Sequence, residues 1–259
     1  MKLLRPDEAL KVFERELADM PKDIRALKGK GDALLGMGRS DAALATLVQA
    51  LEISPKDPDL WFLVGRAYMA DGKVDKALKV LSQATKQAPE NPDAWLELAR
   101  ARSAKGDGEG ALKDIDNVLG LKALEKEDAI GKKVEALLLR STILRGSSKA
   151  EDALKAAQDA LDLDPRNELA WCEHGLALFS LKRYKEAIHS FDGALGVDPR
   201  YEVAWYGKAC CLYEMGKPDK AARYVEMALE IDPEYSDAKA LRERIGGRRR
   251  DAETRDGGT

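Results

Sequence analysis

Apolar and polar residues alternate along this chain with the periodicity of amphipathic α-helices. In one stretch, apolar residues fall at Trp61, Val64 and Tyr68. After a polar Asp-Gly-Lys segment they return at Leu78 and Leu81. Because residues three and four positions apart lie on one face of an α-helix, the pattern predicts two helices joined by a tight turn.

This helix pair recurs along the chain with a period of 34 residues. Tryptophan marks the period at Trp61 and Trp95, and again at Trp171 and Trp205. One alanine position keeps the same phase in every second helix, at Ala9, Ala43, Ala77, Ala111, Ala153, Ala187 and Ala221. A second small position lies in the first helices, at Gly31, Gly65, Ala99, Ser141, Gly175 and Ala209. Small residues at a fixed phase let two helices approach closely, so the pattern predicts stacked helix pairs.

These residues resemble the tetratricopeptide repeat, whose Trp, Leu-Gly, Tyr, Ala, Phe, Ala and Pro pattern is matched best in the second full repeat. The matching residues are Trp61, Val64-Gly65, Tyr68, Ala77, Leu81, Ala84 and Pro89. The resemblance implies an all-α fold, a right-handed α-solenoid (superhelix) of antiparallel helix pairs. It implies six full 34-residue repeats, an N-terminal half-repeat and a C-terminal capping helix.

The expected organisation has six parts. They are an N-terminal half-repeat helix at 1–23, repeats 1–3 at 24–123, an insertion or extended-helix joint at 124–133, repeats 4–6 at 134–235, a C-terminal capping helix at 236–246 and a disordered tail at 247–259. The joint is expected because Pro165 follows Pro89 by 76 residues, eight more than two periods. Two questions stay open: whether the insertion changes the pitch of the superhelix, and whether the lone first helix is a cap or the remainder of a longer protein.

Composition argues against several classes of function. The 43 basic and 46 acidic residues leave a net charge of -3, so no strong field favours nucleic acid or anionic lipid. No apolar run approaches the ~18 residues of a membrane span. Three cysteines, two of them adjacent, do not form the even framework of a secreted disulfide protein. We therefore expect a soluble cytoplasmic protein with free thiols and with neither nucleic-acid nor membrane partners.

The sequence offers no set of residues with the spacing of a catalytic or metal site. His174 and His189 lack a His-Glu-x-x-His arrangement, so a zinc hydrolase has little support. No Gly-Lys pair is preceded by glycine at the position that a phosphate-binding loop requires. The Arg248–Arg250 run is followed at once by acidic residues, which favours a solvated tail. We expect no enzyme activity, no cofactor and no metal.

The resemblance implies that first helices line a concave groove that binds a peptide or protein. The N-terminal candidates are Lys28, Phe62, Arg66, Leu96 and Arg100. The C-terminal candidates are more apolar: Leu138, Cys172, Leu176, Phe179, Tyr206, Cys210 and Tyr213. Such an apolar patch is typical of a contact site, which an amphipathic or apolar segment could fill.

Some members of this family clamp the C-terminal carboxylate of chaperones with cations on their first helices. Here Asp93 and Glu97 occupy the basic positions, and they would repel a carboxylate. We therefore expect no carboxylate-clamp chaperone partner.

We predict a protein-protein interaction scaffold, or adaptor, that binds a peptide or protein segment in the groove. The alternative is a structural homo-oligomer that self-associates through the repeat array and the uncapped N-terminal helix, near Leu10 and Phe13.

Overall fold

The computed structural model describes residues 5–256, with the side chains of 127 and 248–256 left undescribed. Within this range the secondary structure is helical, without a strand. The chain divides into two compact units, Met1–Lys126 and Glu127–Thr259, named unit 1 and unit 2. The all-α fold of successive helix pairs is therefore as the sequence predicts.

The described part of unit 1 begins with one helix and continues with three helix pairs. The lone helix is α1 (Pro6–Asp19). The pairs are α2 (Ile24–Gly36) with α3 (Ser40–Ile53), α4 (Pro58–Ala70) with α5 (Val74–Gln87), and α6 (Pro92–Ala104) with α7 (Gly108–Leu119). A short 3-10 helix, Lys122–Glu125, follows α7.

The described part of unit 2 begins with a 3-10 helix, Glu127–Ala129. Three helix pairs and a last helix follow. They are α8 (Ile130–Gly146) with α9 (Ala150–Leu163), α10 (Glu168–Ser180) with α11 (Tyr184–Val197), α12 (Glu202–Glu214) with α13 (Pro218–Ile231), and finally α14 (Ser236–Asp256). We call α2, α4, α6, α8, α10 and α12 the first helices, and the partner of each its second helix.

Each tryptophan of the period ties the start of a first helix to the turn before it. The Trp61 indole Nε1 donates to the carbonyl oxygen of Pro55 at 2.8 Å. The same bond joins Trp95 to Pro89 at 2.7 Å, Trp171 to Pro165 at 3.0 Å and Trp205 to Pro199 at 3.0 Å. Because the bond always spans six residues, tryptophan and proline keep step along the chain.

In most of the helix pairs, a small residue of the first helix has a larger residue of the second helix sixteen positions later, and the exception is Ser141 of α8, which is followed by Ala157. A Cβ atom at Gly65 would overlap the Leu81 side chain, and one at Gly175 would lie 2.8 Å from the Phe191 ring. At the crossing of α12 and α13, the first helix carries Ala209 and the second helix the smaller Val225, and both are fully buried, whereas Ala99 of α6 has the larger Ile115 at the same spacing. The predicted close approach is confirmed at Gly65 and Gly175, and at Ala209 the smaller Val225 compensates for the added Cβ atom.

The turn inside each pair requires a left-handed residue. Glycine supplies it at Gly38, Gly72, Gly106 and Gly216, with φ between +69° and +86°. In the first two pairs of unit 2 the same place is taken by Ser148 and Lys182, with φ of 59° and 60°. Residues with a Cβ atom adopt this conformation at a cost of about 1 kcal/mol.

Two regions differ in detail from the sequence expectation. The insertion forms the two 3-10 helices, and α8 is lengthened to 17 residues, against 13 in α10. The last helix does not end near Gly246 but continues to Asp256, in place of the tail expected there. Arg, Ala and Glu have high helix propensity, which outweighs the glycine pair at 246–247. The last three residues of the expected tail, 257–259, lie outside the described residues.

Candidate functional site

The predicted cationic anchor of unit 1, Lys28, is occupied by the chain itself. Its Nζ lies 3.2 Å from a carboxylate oxygen of Asp57 and 2.8 Å from one of Asp59. Partial burial lowers the pKa of Lys28, but hydrogen bonds and charge from the two carboxylates outweigh it, so the pKa is raised. An ammonium neutralised in this way is poorly placed to clamp the carboxylate of a partner.

The other unit 1 candidates are also held by neighbours. The Arg66 guanidinium bonds Asp32 at 2.9 Å and lies 5.6 Å from the centre of the Phe62 ring. The Nε atom of Arg100 lies 3.5 Å from the Oε2 atom of Glu97. These contacts leave a surface of internally paired charges, and exposed pairs of this kind are easily exchanged with water.

Unit 2 presents a different surface on its first helices. Leu169 is 47% exposed, and an exposed leucine becomes informative where further apolar residues adjoin it. Four further apolar residues on α8, α10 and α12 are partly buried. We call these five residues the apolar surface: Leu138, Leu169, Leu176, Val203 and Tyr206.

Two predicted candidates are not on an accessible surface in this structure. Leu96 is 2% exposed and Cys172 is 3% exposed. Cys172 packs in a core cluster of unit 2 with Ala204 and Cys211. Burial raises the pKa of its thiol to about 12, so the thiol is protonated and unreactive at neutral pH. The sequence pattern placed both residues on the groove because helical register does not reveal how deeply a neighbouring helix covers a side chain.

The remaining C-terminal candidates are partly covered by other residues of unit 2. The Phe179 ring packs against Tyr184 at 5.4 Å between ring centres. Tyr206 packs against Tyr235 at 5.2 Å, and both Cys210 and Tyr213 pack against the cluster that contains Leu241 and Ile245 of α14. The last helix and the turn before it therefore take part in this end of the surface.

Sequence reasoning missed Arg244, whose guanidinium carbon lies 4.9 Å from the centre of the Tyr213 ring. The sequence contains a spacing that could have identified this residue. Arg244 follows Cys210 by 34 residues, and Cys210 follows Leu176 by the same interval. Continuing the period for one more helix would have placed Arg244 in line with the groove candidates.

An ion pair between α8 and α10 has poor hydrogen-bond geometry. Arg145 and Glu173 approach to 3.5 Å, near the limit for a hydrogen bond. The buried Nε of Arg145 and Oε2 of Glu173 have no hydrogen-bond partner among the described residues. Buried polar atoms without partners are costly, so this pair stabilises the fold less than a fully hydrogen-bonded pair would.

No metal-binding cluster of three or more His, Cys, Asp or Glu residues occurs within the described part of the chain. His174 is partly buried, and its Nδ1 lies 2.9 Å from the Ser190 hydroxyl. Burial lowers its pKa. Among the helices whose residues are described, none is both long and apolar enough to span a membrane.

The two family models that match this chain carry the same description. One model described as tetratricopeptide repeat matches residues 5–67, 34–89, 68–119 and 178–245, and a second model of that description matches 138–202. The sequence matches no protein of curated function.

Similar solved structures share the fold. A tetratricopeptide repeat protein from Parabacteroides merdae ATCC 43184 has 20% identity and a TM-score of 0.72, over 89% of this chain and 88% of that one. The structure of pilF from Pseudomonas aeruginosa has 14% identity and a TM-score of 0.65, over 92% and 99%. YrrB, described as a protein of this repeat class with an unusual peptide-binding site, has 17% identity and a TM-score of 0.52, over 76% and 97%. At these identities the likeness shows the fold alone.

Proposed function

Because the chain belongs to the tetratricopeptide repeat family, we propose that it is an interaction scaffold that binds a peptide or protein segment on the apolar surface of unit 2. Proteins of this fold generally mediate protein-protein interactions, and the fold is generally a non-enzymatic scaffold. We assign this chain no catalytic role of its own. Its three cysteines are free, which suits a reducing compartment such as the cytoplasm.

The observation that carries the proposal is the apolar surface on the first helices of unit 2, whose most exposed member is Leu169. This side chain is 47% exposed beside further apolar residues on the first helices. Burying the exposed half of a leucine contributes about 1 kcal/mol to binding. Several such contacts along α8, α10 and α12 would supply the apolar centre that peptide interfaces need.

The comparison with unit 1 supports the choice of unit 2. In unit 1, Lys28 and Arg66 already pair with aspartates. A partner would have to replace those contacts, and the exchange yields little net free energy. A partner that binds on Leu169 and Leu176 instead displaces water from apolar groups, which is favourable and breaks no existing ion pair.

Peptide selection followed by charge insertion tests the proposal. A random library of peptides about 16 residues long is selected on the immobilised protein, and Kd values are measured by fluorescence anisotropy. The Leu169→Glu variant should weaken binding at least about tenfold, because a carboxylate cannot be desolvated cheaply against an apolar partner. Met227→Glu is the matched control, since Met227 is 39% exposed on α13, outside the apolar surface.

If both variants weaken peptide binding equally, or if neither weakens it, the apolar surface is excluded as the site. Both variants are compared with the parent by circular dichroism and thermal unfolding. Retained helicity in Leu169→Glu separates a loss of contact from a loss of fold.

A second candidate function is self-association through α1. Ala9 and Phe13 are only partly buried, whereas Ala43 and Leu47, which hold the same phase in α3, are fully buried. A helix from a second copy could cover this face of α1. Sedimentation velocity that shows only monomer up to about 50 μM, a range in which weak dimers of roughly 10 μM Kd would form, would rule this function out.

A further inference from the structure

The apolar surface of unit 2 is bordered by carboxylates. Glu168, Glu202 and Asp237 lie in the first turns of α10, α12 and α14. They recur at intervals of 34 and 35 residues, so successive helices present them at the same end. We call these three residues the carboxylate edge.

These carboxylates lie close enough to the tyrosines of unit 2 to affect their ionisation. Burial is the main reason that the pKa of Tyr201 is raised, and the charges of Glu202 and Glu168 add to the effect. Burial likewise raises the pKa of Tyr235 to about 12, with Asp237 adding to it. Burial and the contact with Cys210 raise the pKa of Tyr206, a member of the apolar surface, and the charge of Asp237 adds to the effect. The negative charge of the edge therefore reaches that surface.

Acidic residues in the first turn of a helix have a structural role, because they interact favourably with the helix dipole. In unit 1 the first-turn Asp59 also has a partner, since it pairs with Lys28 at 2.8 Å. Within the described residues, none of the carboxylate-edge side chains forms such an ion pair. Three carboxylates that form no ion pair with a described cation, beside an exposed leucine, complement a partner that carries both apolar and basic side chains.

The last helix shows how the apolar part of such a partner can pack against the first helices. Leu241 and Ile245 of α14 are buried against α12 and α13. On the same helix, the Arg244 guanidinium lies over the Tyr213 ring. A helix with apolar residues and an arginine thus already packs at one end of the first-helix series in unit 2.

We propose that the partner of this surface is a basic amphipathic segment. Its apolar side chains contact Leu169 and Leu176, and its arginine or lysine side chains face the carboxylate edge. This inference rests on the proposed function, since it specifies the partner of the same surface. Each exposed cation-carboxylate contact strengthens binding by roughly threefold, so three contacts give roughly thirtyfold at low salt.

Three synthetic peptides test the inference. Each is an acetylated, fluorescein-labelled helix of about 18 residues with the same leucine stripe, and the polar face carries arginine, glutamine or glutamate. Kd values are measured by anisotropy at roughly 50 mM and 300 mM NaCl, where screening differs strongly. We expect the Leu/Arg peptide to bind at least about tenfold more tightly than the Leu/Gln peptide at low salt, and the Leu/Glu peptide most weakly.

The triple variant Glu168→Gln, Glu202→Gln, Asp237→Asn should bind the Leu/Arg and Leu/Gln peptides within about threefold of each other. The matched control, Asp152→Asn, Asp159→Asn, Glu230→Gln, removes the same charge from exposed positions on α9 and α13 and should keep the full preference. If the control loses the preference equally, net charge alone explains it and the inference is wrong.

The two proposals can fail separately. Equal binding of the Leu/Arg and Leu/Gln peptides, abolished by Leu169→Glu, would overturn the basic partner and leave the apolar surface in place. Absence of binding by all three peptides would overturn both proposals.

Discussion

The ammonium nitrogen of Lys208 on α12 lies 4.4 Å from the centre of the Tyr224 ring on α13. It also lies 5.1 Å from the centre of the Trp205 ring, and the two rings stack 5.7 Å apart. The Asp192 carboxylate of α11 accepts a hydrogen bond from it at 2.5 Å. Lys208 is only 8% exposed, so a buried cation joins three successive helices through two rings and one carboxylate.

We expect Lys208→Ala to lower the free energy of unfolding by about 1–3 kcal/mol, because it removes partly desolvated cation-π contacts and side-chain packing. Asp192→Asn should cost less, about 1 kcal/mol, because the Asp192 side chain is 51% exposed and the asparagine amide oxygen can still accept the hydrogen bond from Lys208. Urea unfolding followed by circular dichroism measures both. An equal cost for the two variants would mean that the ion pair, and not the rings, accounts for the stability.

The turns of unit 2 offer a way to raise stability. Ser148 and Lys182 hold the left-handed conformation that Gly72 holds in unit 1. Ser148→Gly and Lys182→Gly should each increase stability by about 0.5–1 kcal/mol, because glycine adopts positive φ without steric cost. For a chain of this size that is roughly 2 °C in the melting temperature, measurable by differential scanning calorimetry.

Gly72→Ala is the reverse control and should lower the melting temperature by a similar amount. A decrease in Lys182→Gly would show that the Lys182 side chain has a stabilising contact that compensates for its backbone conformation.

The helix pairs could be predicted from the sequence because the residues that repeat every 34 positions make their contacts within a single pair or with the turn before it. Gly65 and Leu81 meet across a single pair, so their spacing alone reports the contact. The bond between Trp61 and Pro55 is equally local, which is why the two markers agree.

Much of the candidate site could not be predicted, because it depends on which side chains reach across successive pairs. The pairing of Arg66 with Asp32 joins equivalent positions 34 residues apart, and the period alone does not say that the two side chains meet. The burial of Cys172 and the position of Arg244 over Tyr213 depend on how neighbouring helices pack. Such contacts are tertiary, so a pattern along one helix carries little information about them.

The size compensation between Ala209 and Val225 predicts a specific rescue at Gly65. Gly65→Ala should destabilise the chain by about 1–2 kcal/mol, since a Cβ atom there overlaps Leu81 and overpacking outweighs the gain in helix propensity. Adding Leu81→Val reproduces the Ala209–Val225 combination of the last pair and should recover at least about half of the loss. A double-mutant cycle by urea unfolding measures this coupling.

Gly131→Ala is the matched control, because α8 leaves open space around Gly131. It should be neutral or stabilising by up to about 1 kcal/mol. Strictly additive effects of Gly65→Ala and Leu81→Val would show that the two side chains do not compensate.

Asp114 should make the stability of the chain depend on pH. This α7 carboxylate is 4% exposed and lies 2.8 Å from Arg102. Burial raises its pKa to about 6 from the ordinary 3.8, although Arg102 acts in the opposite direction. The folded chain therefore holds a proton that the unfolded chain releases, so the stabilising contribution is complete below about pH 4 and is lost as the pH rises through 6.

The full decrease in the free energy of unfolding is of the order of 1–3 kcal/mol, because each unit of pKa difference between the folded and unfolded chain corresponds to about 1.36 kcal/mol. Urea unfolding of the parent and of Asp114→Asn at about pH 4.5 and 7.5 isolates it, because the variant retains every other titrating group. Asp114→Asn should gain stability relative to the parent between the lower and the higher pH. A relative loss over that interval would mean that attraction to Arg102 outweighs burial, and that the Asp114 pKa is lowered in the folded chain.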